Sequence, residues 1–322
     1  MVPLWRRVAR NTLAGLQKSV WSSAPLDVDG AQKILRSYDP QAEVRRRFHS
    51  WCCQAFDVTF RGRHCVAKFA GLEFSWKYVL QREVARLRQL ASAGIRVPEV
   101  VFADTRRLRR PFYVMPFLGE SENDRWELAR RELAWKAEAD FIHDFPDIVA
   151  RARLSITSLA DSESVARREI ERTRADLRAF GLPEENYHQL FAEYEAVIFS
   201  EPWTPGQWQA PVFLHDGTHF WPIDWSDIMM IPPSRWVMDY TLYQRINEPD
   251  TGRLHVDFLL LELHGESRVE TLAAAVDVCH RYKALADGLN LVRRENNWAY
   301  FDTMHRQLFN APLPVRRSLV AT

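Results

Sequence analysis

Acidic residues near the end of an apolar run are the first candidates for chemistry in this chain. In the segment VFLHDGTHFWPIDWSD (212–227), Asp216-Gly217 is typical of a hairpin turn between two apolar strands. Asp224 ends the second strand, and Asp227 follows three residues later. A carboxylate in this position suits a divalent cation, usually a magnesium ion that bridges phosphate oxygens. An aspartate after a strand is also a common turn former, so this segment alone leaves both interpretations open.

A lysine at the end of an apolar strand is the second candidate. The segment FDVTFRGRHCVAKFAG (56–71) predicts two strands joined by a tight turn, and Lys68 follows three apolar residues in the second strand. An ammonium group in such a place is costly unless a partner neutralises it. The segment WKYVLQREVARLRQLASAG (76–94) predicts a helix that ends at Gly94, with Glu83 near its apolar side. We therefore expect an ion pair between Lys68 and Glu83.

The remaining patterns place these residues in a small sheet that is followed by a larger helical part. Two β-rich runs come after the helix, IRVPEVVFAD (95–104) and PFYVMPFLGE (111–120). Residues 125–200 are strongly helical in pattern, and further amphipathic helices are predicted over 254–310. The order in the first part of the chain is therefore strand, strand, helix, strand and strand.

In this order the motifs resemble a known fold. VAKF, Glu83 in a helix about 15 residues later, GIRVPEVVFAD and FYVMPFLGE are similar to the small lobe of the protein-kinase-like fold. The families that the chain resembles are the aminoglycoside phosphotransferases and the lipopolysaccharide core (heptose/Kdo) kinases. The resemblance implies an α+β, two-lobed protein-kinase-like fold, with a small antiparallel β-sheet lobe plus one helix and a larger, mainly helical lobe. The implied domains are an N-terminal amphipathic helix and lead-in (1–50), a kinase-like N-lobe (51–120) and a helical C-lobe (121–322) that contains the metal-site hairpin 212–227.

The resemblance also implies a role for each candidate residue. Lys68 is expected to contact the α- and β-phosphates of ATP, and Glu83 is expected to orient Lys68. Met115 and Phe117 belong to the expected hinge, against which adenine lies. Asp224 takes the position of the metal-binding aspartate. The implied cofactors are ATP and Mg²⁺.

The chain departs from the family pattern where the catalytic acid is expected. Working phosphotransferases of this kind carry His-Gly-Asp or His-Arg-Asp just before the hairpin, and an Asn or His that helps to hold metal follows. In the corresponding segment TPGQWQAP (204–211), Gly206 takes the position of the acid and Pro211 that of the metal ligand. The chain also has no glycine between Gly30 and Gly62, so it lacks a glycine-rich loop before Lys68.

Three alternatives remain for the missing acid. In the first, His215-Asp216-Gly217 is a rearranged catalytic loop and Asp216 is the acid. In the second, a residue of the helical part such as Asp144 or Asp147 acts as the general base. In the third, the protein is a pseudokinase that does not catalyse phosphate transfer.

The acceptor is suggested by a motif after the hairpin. PPSRWVMDYTLY (232–243) resembles the segment of lipopolysaccharide core kinases in which an Arg-Trp pair precedes an Asp that opens a buried helix, here Arg235, Trp236 and Asp239. This resemblance implies an ATP- and Mg²⁺-dependent phosphotransferase that acts on a sugar hydroxyl of the lipopolysaccharide core or a related envelope glycolipid. The alternative is a catalytically inactive kinase-like protein that binds a partner or nucleotide and regulates an envelope-sugar pathway.

Composition and the N-terminal pattern limit the location and the partners. The 322 residues have a formal net charge of +1, so the chain as a whole shows no electrostatic footprint for nucleic acid. The four cysteines form no CxxC pair, which fits a reducing cytoplasm. Residues 4–21 predict a basic amphipathic helix that either contacts the inner face of the cytoplasmic membrane or packs on its own domain. We find no GxSxG, HExxH, Rossmann glycine fingerprint or Walker loop.

Overall fold

The computed structural model describes residues 25–48, 53–71, 76–106, 110–121, 128–208, 212–225 and 227–314. The helix predicted over 4–21 lies outside these residues. The chain divides into two compact units, Met1–Asp124 with Pro211–Ser226, called the sheet unit below, and Arg125–Ala210 with Asp227–Thr322, called the helical unit. By its contacts, the predicted hairpin groups with the sheet unit. The domain bounds implied by the resemblance stay a prediction.

The sheet unit contains a five-stranded antiparallel sheet with the strand order β1-β2-β3-β5-β4. Its elements in chain order are α1 (Val28–Arg36), β1 (Glu43–Arg47), β2 (Gln54–Phe60), β3 (Arg63–Phe69), α2 (Trp76–Ser92), β4 (Phe102–Asp104) and β5 (Phe112–Pro116). The small antiparallel sheet with one principal helix confirms the predicted fold class. The sequence interpretation missed α1 and β1, which precede the predicted strands.

The two faces of this sheet differ because successive side chains of a strand point to opposite sides. One face packs with α1 into an apolar core that contains Leu35, Phe56, Val58, Ala67 and Val114. Residues of the alternate positions, including Lys68, lie on the other face. The alternation of side chains along β3 is therefore enough to place Lys68 on the sheet face that points away from this core.

A second, three-stranded sheet of the sheet unit carries the predicted hairpin. Its strands are β6 (Glu120–Ser121), β8 (Val212–His215) and β9 (Phe220–Ile223), in the order β6-β8-β9. Strands β8 and β9 pair antiparallel, with His215 opposite Phe220 across the turn. Gly217 in this turn has a φ of +95°, a conformation that glycine adopts without steric cost. The predicted hairpin is thus present at the predicted residues.

The helical unit is built from long helices and one two-stranded sheet. The helices are α3 (Leu128–Arg151), α4 (Leu159–Ala179), α5 (His188–Ser200), α6 (Pro233–Asn247), α7 (Pro249–His264), α8 (Val269–Glu295) and α9 (Trp298–Phe309). Strands β7 (Thr204–Gln207) and β10 (Ile228–Ile231) pair antiparallel. No helix among the described residues is long and apolar enough to cross a membrane.

Candidate functional site

The predicted ion pair between strand β3 and helix α2 is present. The ammonium of Lys68 donates to Oε1 of Glu83 over 2.9 Å. The two side chains are 12% and 4% exposed, respectively. Glu83 lies on the buried side of α2 together with Leu80, Val84 and Leu87, so the helix face that packs on the sheet also delivers the carboxylate.

Lys68 has a second carboxylate partner in the hairpin. Its ammonium also donates to Oδ1 of Asp224, which follows β9 directly. Asp224 has a φ of +61°, in the left-handed region that residues other than glycine seldom adopt. Such local strain often occurs at functional sites. The sequence predicted an acid at the end of this strand, but it gave no signal for the unusual backbone conformation or for the contact with Lys68.

The electrostatics of Lys68, Glu83 and Asp224, called the trio below, keep the lysine charged. Burial acts to lower the pKa of Lys68, but the nearby carboxylates of Asp224 and Glu83 outweigh burial and raise this pKa well above its ordinary value. Burial raises the pKa of Glu83, although the adjacent Lys68 opposes the shift. Asp224 is the exposed member, with 41% of its side chain accessible. A fixed cation beside an accessible carboxylate can bind an anionic group through Lys68 and a metal ion through Asp224.

The set of metal ligands within the described residues is small. These residues include no cluster of three or more His, Cys, Asp or Glu side chains that could hold a metal ion. Magnesium commonly binds to one or two carboxylates and completes its coordination with phosphate oxygens and water. Asp224 therefore fits a magnesium ion that arrives with a phosphate ligand, rather than a site built from protein groups alone.

The predicted hinge residues lie on the same sheet face as Lys68. In the ladder between β3 and β5, Lys68 is opposite Tyr113 and Val66 is opposite Met115. Met115 is buried. The Phe117 amide donates to the carbonyl of His64 over 3.1 Å, which continues the pairing beyond β5. Met115 and Phe117 thus follow Tyr113 along the strand that neighbours Lys68.

A charged cluster on this face was missed by the sequence interpretation. Asp57 of β2 is opposite Val66 in the ladder, and its carboxylate lies 2.8 Å from Nε2 of His64 and 3.0 Å from Nη1 of Arg45. Burial acts to raise the pKa of Asp57, but these hydrogen bonds outweigh burial and lower it. The His64 ring also stacks on the Phe117 ring, with 4.3 Å between centroids. The sequence signal for this cluster was the alternation of Asp57 with the core residues of β2, which places its carboxylate on the face away from the core.

Comparison with known proteins identifies the family. A family model described as "Phosphotransferase enzyme family" matches residues 53–234, which include the lysine, both carboxylates and the hairpin. The chain belongs to this phosphotransferase family. No curated protein matches the chain significantly.

Solved structures of phosphotransferases share the fold at low sequence identity. The GDP complex of wild-type aminoglycoside 2'-phosphotransferase-IIIa is 16% identical with a TM-score of 0.64, and the match covers 88% of this chain and 99% of that chain. Spectinomycin phosphotransferase APH(9)-Ia with ADP and spectinomycin is 13% identical with a TM-score of 0.52, covering 89% and 95%. A thermostable APH(4)-Ia mutant with AMP-PNP and hygromycin B is 16% identical with a TM-score of 0.51, covering 87% and 98%. The comparisons give no support to the resemblance to lipopolysaccharide core kinases.

Gly206, the residue predicted to take the position of the family's acid, is closely packed. Gly206 lies in β7, opposite Met229 of β10. A Cβ atom at this position would overlap with the side chain of Ile231 and lie 3.2 Å from Trp236. Pro211, the residue at the expected metal-ligand position, lies outside the described residues. A side chain at position 206 would therefore require the side chain of Ile231 to shift.

Asp216, the candidate acid of the alternative register, is engaged in the hairpin turn. Its carboxylate accepts hydrogen bonds from the amides of Thr218 (2.9 Å) and His219 (2.8 Å) and from the indole of Trp221 (2.7 Å). These bonds lower the pKa of Asp216 to about 2. A carboxylate with such a low pKa is a weak proton acceptor at neutral pH, so the geometry favours a role in forming the turn.

Asp144 and Asp147, the two alternative donors of a base, lie on α3 in the helical unit. Both side chains are exposed to solvent. They remain candidates for a base on the strength of the sequence argument.

Proposed function

We propose that this phosphotransferase binds ATP with Mg²⁺ and transfers the terminal phosphate to a sugar hydroxyl. The observation that carries the proposal is the position of Lys68 between the carboxylates of Glu83 and Asp224. Membership of the phosphotransferase family supports it. The solved relatives that contain GDP, ADP or AMP-PNP support a nucleotide as the phosphate donor.

Each residue of the trio has a separate task in this proposal. Lys68 provides a permanently charged ammonium for the α- and β-phosphates, and Glu83 fixes the direction in which that ammonium points. Asp224 holds the magnesium ion, which supplies positive charge to the phosphates when bound. Met115 and Phe117 border the adenine ring of the nucleotide. This arrangement positions the nucleotide and stabilises its negative charge, which are the main protein contributions to phosphoryl transfer.

The acceptor in the proposal is a sugar. Two of the similar solved structures contain kanamycin or spectinomycin beside a nucleotide, which supports a sugar-like hydroxyl acceptor. The finer assignment, a sugar of the lipopolysaccharide core or a related envelope glycolipid at the inner face of the cytoplasmic membrane, depends on the motif SRWVMDYTLY and on the basic segment 4–21. Arg235 of this motif is buried and pairs with Glu169 at 3.3 Å, so its contribution is to the packing of the helical unit.

A second candidate function is nucleotide binding without catalysis. The observation that favours it is the tightly packed Gly206 at the position of the family's acid. In this case Lys68 and Asp224 bind nucleotide and metal, and the protein acts through a partner in an envelope-sugar pathway. The two candidates agree on nucleotide binding and differ in phosphate transfer.

Isothermal titration with ATP and with GTP, each with and without Mg²⁺, tests the shared part of both candidates. We expect Lys68→Ala and Asp224→Asn to weaken metal-dependent binding at least about tenfold, because each removes a charge that faces the phosphates. Matched controls are Lys136→Ala and Asp140→Asn, which remove an ion pair of 2.8 Å on the surface of α3. Binding that is absent in the wild type, or equal in all variants, overturns the proposal.

Phosphate transfer distinguishes the two candidates. Release of nucleoside diphosphate is followed with lipopolysaccharide core oligosaccharide or with an aminoglycoside as the acceptor, and the phosphorylated sugar is detected by mass spectrometry. Transfer that disappears in Asp224→Asn supports the enzyme. Tight metal-dependent nucleotide binding without transfer to any sugar supports the non-catalytic candidate.

A further inference from the structure

Tyr113 of β5 is a buried residue with a polar atom next to the charged trio. It is 0% exposed, and the β3–β5 ladder places it directly opposite Lys68, on the same face of the sheet. Its hydroxyl donates to Oε1 of Glu83 over 3.1 Å. The sequence alone indicates only an apolar strand residue at Tyr113, because its hydrogen-bond partner, Glu83, comes from helix α2.

The hydroxyl shares its acceptor with the lysine. Oε1 of Glu83 accepts both from Tyr113 and from the ammonium of Lys68, which lies 2.9 Å away. The tyrosine ring centroid lies 6.0 Å from the same ammonium. Tyr113 therefore contacts both members of the ion pair, the carboxylate through its hydroxyl and the ammonium through its ring.

The contact is more specific than the packing of the core requires. A phenylalanine would fill the same space without a buried hydroxyl that needs a partner. Burial raises the pKa of Tyr113 well above its ordinary value, so the hydroxyl keeps its proton and donates to the carboxylate. Lys68 also donates to the half-exposed Asp224, so its ammonium is held between two carboxylate acceptors. A Glu83 carboxylate held by the hydroxyl of Tyr113 keeps the ammonium of Lys68 within reach of both carboxylates.

We propose that Tyr113 is a positioning residue of the nucleotide site: its hydroxyl fixes Glu83, and Glu83 fixes the ammonium of Lys68 at the place where phosphate binds. The inference depends on the proposed nucleotide-binding function. It adds a fourth member, Tyr113, to the trio of Lys68, Glu83 and Asp224.

The first test is a double-mutant cycle with the affinity for ATP and Mg²⁺ as the readout. We expect Tyr113→Phe to weaken binding about tenfold, because a hydrogen bond to a charged group is lost. In the Lys68→Ala background the same change is expected to have an effect of less than about twofold, because the lysine that it positions is absent. Equal losses in both backgrounds would show that Tyr113 acts through general packing and would overturn the proposal.

The control is another buried tyrosine with a hydrogen bond of the same length. Tyr187 of the helical unit is buried, and its hydroxyl lies 3.1 Å from Nε2 of His305. We expect Tyr187→Phe to leave nucleotide affinity unchanged within about twofold, whatever its effect on folding. A loss as large as that of Tyr113→Phe would indicate a nonspecific effect of removing a buried hydroxyl and would overturn the proposal.

The second test needs no nucleotide and so separates this inference from the proposed function. In protein labelled with ¹⁵N-lysine, the signal of the Lys68 ammonium, assigned by its absence from Lys68→Ala, reports how well that group is shielded from exchange with water. We expect this protection to be present in the wild type and in Tyr187→Phe and to fall at least about fivefold in Tyr113→Phe. An unchanged Lys68 signal in Tyr113→Phe overturns the positioning role. Loss of protection in a protein that binds no nucleotide overturns the proposed function alone.

Discussion

The packing around Gly206 allows a quantitative prediction for an acid placed at this position, where the resemblance leads us to expect one. A Cβ atom added at this position would overlap with the side chain of Ile231, which is 0% exposed, and would approach Trp236, which is 3% exposed. Neither neighbour lies at a free surface to which it could move. Any side chain at position 206 must therefore displace packed groups of β10 and α6.

The size of the effect follows from two opposing contributions. Overpacking of a well-filled core costs about 1 to 3 kcal/mol. Replacement of glycine by alanine in a compatible backbone stabilises by roughly 0.4 to 1 kcal/mol, because the unfolded chain loses freedom. The backbone of Gly206 is not in the left-handed region, so this gain applies. The two ranges leave a net loss of roughly 0 to 2.6 kcal/mol for Gly206→Ala, and we expect about 1 kcal/mol or more because a Cβ would overlap with two atoms of Ile231. Gly206→Asp adds an unpaired buried carboxylate, which raises the loss above about 3 kcal/mol.

Equilibrium unfolding in urea, followed by circular dichroism, measures these losses. Ile231→Val, which removes the overlapping Cδ1 methyl group, is the matched partner in a double-mutant cycle. We expect Ile231→Val alone to cost about 0.5 to 1.5 kcal/mol and to recover about 1 kcal/mol of the Gly206→Ala loss when the two are combined. The reasoning is refuted if Gly206→Ala unfolds within about 0.5 kcal/mol of the wild type, or if Gly206→Asp folds normally and gains phosphate transfer.

Two further predictions concern Asp239 of α6 and Asp216 of the hairpin turn. Burial raises the pKa of Asp239 to about 6, so this group favours folding most below its unfolded pKa of about 3.9 and the contribution is lost as the pH rises through about 6. Part of Asp239 is exposed, which reduces the expected effect. Relative to the wild type, we expect the unfolding free energy of Asp239→Asn to rise by roughly 1 to 2 kcal/mol between pH 4 and pH 7, as measured by urea unfolding. Equal pH dependence of the two proteins would contradict this. For Asp216, whose carboxylate organises the turn, we expect Asp216→Asn to retain nucleotide binding within about twofold and Asp216→Ala to speed hydrogen exchange of the Trp221 indole. Loss of phosphate transfer in Asp216→Asn with nucleotide binding intact would instead identify Asp216 as the catalytic acid.

The parts of the fold and site that follow from the sequence are those set by local periodicity. Lys68 could be assigned to an apolar strand and Glu83 to the apolar side of a helix, and these two facts alone predicted their ion pair. The turn at Asp216-Gly217 likewise located the hairpin. Strand β1 escaped prediction because its sequence, EVRRR, is almost wholly exposed and has no apolar alternation. It is a strand because it pairs with β2 at the edge of the sheet.

Other parts of the site could not be predicted because they depend on contacts between distant segments. The sequence shows that position 206 lacks an acid, but only the structure shows that Ile231 and Trp236 fill the space. The hydroxyl of Tyr113 likewise has a role only because α2 brings Glu83 to the neighbouring strand. In both cases the residue type is visible in the sequence and its partner is not.

The energetics of the trio and of Gly206 lead to different conclusions about binding and catalysis. A buried ion pair is rarely a better way to stabilise a fold than apolar residues of similar size, so Lys68 and Glu83 are poorly explained by stability alone. They are well explained by an anionic ligand that uses the charge of Lys68. Position 206 shows the opposite situation, because the apolar side chains of Ile231 and Trp236 pack against Gly206 and this packing is explained without any ligand. This contrast favours the proposed nucleotide binding, and it implies that the proposed phosphate transfer would use a proton acceptor other than residue 206.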